Sequence, residues 1–213
     1  MSEMQNSSGS KVKKELTMEN KKMFIFGLGG FLLLAILVIV GATLFGVYYK
    51  KSENRFISSV ASVLRLPALK VGGQVVLYKD YVDDLRAIKM VKDYDVKNDG
   101  PMAAVSDEQL SDQVLWRLTT NALVTKLAKE YGVKIEQKEI DDIKTQVLSQ
   151  FENDETKLSA ELQKRYGWDL KTYENKVIRP YVLQKDLATK LATDENLKKE
   201  TKVKAQKVLD EIK

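Results

Sequence analysis

The chain has 213 residues, 35 Lys and Arg against 30 Asp and Glu, a formal net charge of +5, and neither His nor Cys. Lacking those two residue types, it has no usual nucleophile–base pair, few ligands for transition metals and no disulfide framework. The positive excess is local: residues 1–51 carry seven Lys against three Glu, whereas residues 52–213 carry 28 cations against 27 acids, so most of the chain is nearly neutral and offers no extended basic surface for nucleic acid.

Residues 1–22 are rich in Ser, Asn, Gln, Lys and Glu without apolar periodicity, and read as a disordered cytoplasmic tail. Residues 23–49, MFIFGLGGFLLLAILVIVGATLFGVYY, contain no charge, and 16 of them are Leu, Ile, Val or Phe. As a helix this run reaches roughly 40 Å, enough to cross a hydrocarbon core of about 30 Å. It is about twice as long as the apolar core of a cleaved signal peptide, so an uncleaved signal anchor is expected. Lys13, Lys14, Lys21 and Lys22 precede it, and Lys50, Lys51 and Arg55 follow it. The slight N-terminal bias implies a single-pass cell-membrane protein with its N-terminus in the cytoplasm and its C-terminal domain outside. Gly27-Leu28-Gly29-Gly30 lies within the run, where small residues let helices approach, a route to a homodimer in the bilayer.

Residues 50–66 form a juxtamembrane linker. Phe56, Val60 and Leu64, with Ile57 and Val63 beside them, predict a short amphipathic helix over 54–65, ended by Pro67. Such a helix fits either a membrane surface or the face of a domain. Two short apolar runs, 68–71 and 74–77, flank Gly72-Gly73 and predict a hairpin. Tyr81, Leu85 and Ile88 then mark a helix over 79–91, and 93–105, with Asn98-Asp99-Gly100-Pro101, reads as a loop. Ser106 to Gln109 supplies a capping box for a long helix that carries Leu110, Val114, Leu118, Leu123 and Leu127 and stops at Gly132. Further helices are expected over 136–151 and 155–166, the latter ending at Gly167. Asp169 caps a fifth, which Pro180 should kink, and Asp194-Glu195 opens a last one. The expected fold is mainly α: a transmembrane helix, then a helical domain over 67–195 with one small β-hairpin, then a C-terminal helix over 196–213.

Four segments resemble the N-terminal domain of the SurA-type extracytoplasmic chaperones and their membrane-anchored bacterial relatives. LPALKVGGQVVLYKDYVDDL at 66–85 is similar to the family's strand, turn, strand and first helix. LWRLTTNALVTKLAKEYGVKI at 115–135 is similar to its long central helix. EIDDIKTQVLSQF at 139–151 and YGWDLKTYENKVIRPYVLQKDL at 166–187 complete the likeness. Gly73 stands where the family more often has Asn-Gly, and Glu136 where it has Ser or Asp, which weakens a cap without changing the fold. TKVKAQKVLDEIK at 201–213 looks like the opening helix of a parvulin isomerase domain. The resemblance therefore implies either an isomerase-free version or the chaperone portion of a parvulin-type peptidyl-prolyl isomerase.

The remaining carboxylate pairs, Asp83-Asp84, Asp141-Asp142 and Asp154-Glu155, sit at adjacent positions that diverge by about 100° on a helix, and they read as solvated faces rather than catalytic or metal-binding pairs. No catalytic, cofactor or metal residues are expected. The surface chemistry left is aromatic. Tyr81, Trp116, Tyr166, Trp168, Tyr173 and Tyr181 are the candidate contacts for a client polypeptide, set against core roles for Trp116 and for Trp168, which would pin the fourth helix onto the fifth. The resemblance implies binding of unfolded or newly translocated polypeptides. The alternatives are an isomerase whose catalytic domain lies elsewhere, and a tether that docks one folded partner.

Overall fold

The computed structural model describes residues 35–211. The expected tail over 1–22, the first part of the apolar run and the Gly27–Gly30 segment lie outside the described residues. The chain divides into two compact units, Met1–Lys50 and Lys51–Lys213. In the first, residues 35–48 form helix α1, with Phe45 and Tyr49 stacked at 4.8 Å and Thr43 Oγ1 donating to the Ile39 carbonyl at 2.8 Å. Among the described residues no helix is long and apolar enough to cross a membrane.

The second unit is mainly helical with one two-stranded sheet. Helix α2 (Arg55–Val63) starts where Asn54 Oδ1 accepts from the Phe56 amide at 2.8 Å. It ends before Pro67: Arg65 takes a left-handed φ of 50° and the Leu66 amide closes on the Ala61 carbonyl, while Pro67 opens the first strand. Strands β1 (Pro67–Val71) and β2 (Gln74–Leu77) pair antiparallel, with Val71 opposite Gln74 and a register shift between Pro67 and Leu69. Gly72 and Gly73 both have positive φ, 51° and 86°, as a two-residue hairpin turn of this hand requires. A side chain at Gly72 would come within 3.1 Å of Lys126 Nζ and Val208 Cγ2.

Helix α3 (Tyr78–Lys97) is the centre of the unit, packed on α2, the hairpin and two later helices, with Val82, Leu85 and Ala87 buried. It runs through the first part of the expected loop at 93–105. The reason is Asp95, whose carboxylate accepts from the Met102 amide at 2.9 Å while its carbonyl accepts from Gly100 at 2.8 Å. The loop thus folds back onto the helix end, and the turn starts only at Asn98. Helix α4 (Asp107–Glu130) has the expected capping box, the Gln109 amide donating to Ser106 Oγ at 3.2 Å and the Ser106 amide to Gln109 Oε1 at 2.9 Å. Gly132 follows it at φ 65°.

Helices α5 (Gln137–Ser149) and α6 (Glu155–Tyr166) follow the sequence periodicity, α6 stopping at Gly167 with φ 67°. Glu136 does not leave the start of α5 bare, since its amide donates to Glu139 Oε2 at 3.4 Å. The Pro180 kink takes a particular form. A short helix α7 (Leu170–Tyr173) passes into a π turn (Glu174–Ile178) and then into α8 (Arg179–Thr193). Pro180 has no N–H to give to the Lys176 carbonyl, and the Arg179 amide bonds instead to Glu174, five residues back. Ile178 and Val182 then close a core with Ile140 of α5. Helix α9 (Glu195–Glu211) belongs to the same unit, with Val208 buried and Thr201 Oγ1 donating to the Tyr131 hydroxyl at 2.9 Å.

Candidate functional site

Three elements meet around a cavity of about 420 Å³. Helix α3 supplies Asp84, Ala87 and Ile88, and α4 supplies Gln113, Val114 and Arg117. The chain from the end of α6 into the π turn supplies Tyr166, Trp168, Tyr173 and Val177. The aromatic wall is set by Gly167. Its left-handed backbone turns the chain sharply after α6, so that Trp168 lies back on Tyr166 with ring centres 5.2 Å apart and planes 18° off parallel. Such an offset stack adds on the order of 1 kcal/mol to the burial of the rings. A side chain at Gly167 would also press to 3.0 Å from Met90 Sδ. Burial raises the Tyr173 hydroxyl above its ordinary range, with nearby Tyr166 adding to the effect, so Tyr173 stays protonated at neutral pH.

The opposite wall is ionic. Asp83 and Asp84 diverge as their adjacency requires, but only Asp83 keeps to the surface, where it pairs with Lys79 and, at 3.3 Å, with Arg86. Asp84 corrects the expectation of a solvated face: its side chain is 2% accessible and is held by Arg117 and by Lys176 Nζ at 2.7 Å. A carboxylate so deeply buried is tolerable only because two cations from other elements meet it. Lys176 also sits 5.9 Å from the centre of the Trp168 ring, a cation–π distance that links the ionic wall to the aromatic one. Arg117 Nη1 reaches the Lys176 carbonyl at 3.5 Å, the acceptor that Pro180 leaves without its helical donor. The π turn is thus part of the site, because it presents both the side chain and the carbonyl of Lys176 to residues of α3 and α4.

Of the six aromatic residues singled out in the sequence, the structure brings Tyr166, Trp168 and Tyr173 to this cavity. Tyr81 is buried between α3 and α4, its hydroxyl 2.9 Å from Ser111 Oγ. Tyr181 is exposed on α8 and outside the lining. Trp116 is also outside it and is 63% accessible, which corrects its expected place in the core: two positions after the buried Val114, it points to the far side of α4. Sequence reasoning missed Asp84, Arg117 and Lys176. The available signal was charge at apolar-stripe positions, Asp84 four before Ile88, Arg117 three after Val114 and Lys176 three after Tyr173.

The family model of the SurA-like N-terminal domain matches residues 18–185. The chain belongs to this family, whose members are chaperone-type or isomerase-associated modules. Every residue lining the cavity lies inside the matched span. No curated protein and no solved structure gives a significant match.

Proposed function

We propose that this chain is a membrane-anchored chaperone that binds unfolded or newly translocated polypeptides outside the cytoplasm, with residues 23–49 as its anchor. The observation that carries the reading is the aromatic wall of Tyr166, Trp168 and Tyr173 over a cavity of about 420 Å³, large enough for one or two apolar side chains of an extended client. Burial of such side chains is non-directional and asks for little sequence preference, which suits many clients. Membership of the SurA-like family supports a chaperone-type role, and the uncharged stretch over 23–49 supports the anchor.

The test is a fluorescence anisotropy titration of several labelled, permanently unfolded polypeptides with the compact unit Lys51–Lys213. Saturable binding to most of them, weakened roughly tenfold by Tyr166→Ala, is the expected outcome. Binding to none of them, or to a single folded protein only, contradicts the reading and favours a tether.

A further inference from the structure

Helix α2 is amphipathic in the reverse sense to a helix packed by its large side chains. Its buried positions are small, Ser58 and Ala61, which face α3. Phe56, Val60 and Val63 share the other face at i, i+4 and i+7, with Phe56 62% and Val63 83% accessible. A soluble domain gains nothing by turning a Phe and a Val into water while docking through a Ser and an Ala, so this face is shaped for another phase. Its charges say which. The helix carries no acid; Arg55 stands at its start and Arg65 just past its end, both exposed and neither paired with any described residue. The nearest acid before it, Glu53, is already taken by Lys89 Nζ at 2.6 Å. Lys50 and Lys51 precede it, directly after the uncharged stretch over 23–49.

We propose that α2 is a membrane-surface helix, which inserts Phe56, Val60 and Val63 at the headgroup–acyl boundary of a bilayer while Arg55 and Arg65 pair with anionic lipid phosphates. An apolar stripe between cationic ends is the pattern of interfacial helices. Each cation near an anionic leaflet contributes about a fivefold factor to the docking equilibrium. The proposal rests on the membrane attachment of residues 23–49, and its test separates the two.

Because the chain has no Cys, a single environment-sensitive fluorophore can be placed by Val63→Cys, or by Val96→Cys as a control at an exposed position on α3. The full chain is reconstituted into phosphatidylcholine vesicles with and without phosphatidylglycerol. Co-flotation reports attachment, and quenching by lipid-borne nitroxides reports depth. The expected result is a chain that floats, with the label at 63 blue-shifted and quenched by shallow nitroxides, and the label at 96 in water. Omitting phosphatidylglycerol, or introducing Arg55→Gln with Arg65→Gln, lowers the docked fraction, by roughly fivefold in the docking equilibrium per arginine for the variant. A chain that floats with the label at 63 in water overturns the proposal and leaves the anchor standing. A chain that does not float overturns both. A blue-shifted label at 63 that lipid nitroxides do not quench shows a protein contact, such as a second copy, and overturns the proposal, as does equal quenching at 63 and 96.

Discussion

Among the described residues two charge clusters join α3 to its neighbours, and α3 supplies the acid to one and the cations to the other. In the cavity wall, Asp84 at 2% accessibility holds Arg117 and Lys176 together from α4 and the π turn. On the outer surface, Lys89 and Lys92 hold Glu53 and Asp107, with Asp107 65% accessible and pairing with Lys92 at 2.8 Å. The outer cluster exchanges ion–water contacts for ion–ion contacts at little net gain, and salt screens it. In the inner cluster the acid alone is cut off from water: Asp84 is 2% accessible, while Arg117 and Lys176 keep 36% and 25%. Its worth lies in the cost of leaving one member alone, and in the fixed position it gives to Lys176 beside Trp168.

The largest effect should come from breaking the inner cluster on one side. Arg117→Met with Lys176→Met leaves Asp84 alone at 2% accessibility and should cost about 3–5 kcal/mol in urea unfolding of the 51–213 unit. Replacing all three by apolar residues, Asp84→Leu with Arg117→Met and Lys176→Met, should recover most of that loss, because no charge is then left unpaired. A triple variant as unstable as the double cation variant would show that the cluster does more than cancel itself. In the outer cluster, Lys89→Ala should cost at most about 1 kcal/mol, and the loss should shrink further in 1 M salt.

Smaller effects come with pH, from one group in the outer cluster and one buried tyrosine outside both clusters. The Asp107 carboxyl is held below its ordinary range by its hydrogen bond to Lys92 and by the charge of Lys89. A depressed folded-state value stabilises above the unfolded one and is lost as pH falls through it, so the contribution of Asp107 should decline as pH falls below 3.8, a step that Asp107→Asn removes. Burial pushes the Tyr78 hydroxyl up to about 12. A raised folded-state value favours the protonated form, so stability should fall as pH rises from 10 towards 12, and Tyr78→Phe should flatten that arm in chemical unfolding.

How much of this is legible in the sequence depends on how far apart the deciding residues lie. Helix α6 and its Gly167 stop, the Ser106 capping box and the Gly72-Gly73 hairpin follow from neighbours within four residues, and they stand where the sequence puts them. The end of α3 does not, because Asp95 reaches across the turn to Met102. Pro180 announces a kink, but the π turn that carries Lys176 to Asp84 is held by contacts far apart in the chain, Ile178 against Ile140 of α5 and Lys176 to Asp84 of α3, which no local pattern encodes. Adjacent carboxylates were expected to diverge, and they do. Asp84 is the one that turns inward because it lies three after Tyr81 and four before Ile88 on the apolar stripe; the cations that make its burial tolerable lie on other elements, beyond any local pattern. Trp116 shows the opposite failure, since its register against Val114 placed it outside and its aromatic character alone suggested the core.

The most direct measurement of the central claim is site-specific photocrosslinking to an unfolded client, with the same photoreactive phenylalanine analogue placed in turn at Tyr166, which lines the cavity, and at Tyr181, which is exposed outside it. The account predicts strong crosslinks from 166, competed by excess unlabelled client, and few from 181. Equal yields at both positions, or a client captured from 181 alone, would contradict it and place polypeptide binding somewhere other than the cavity.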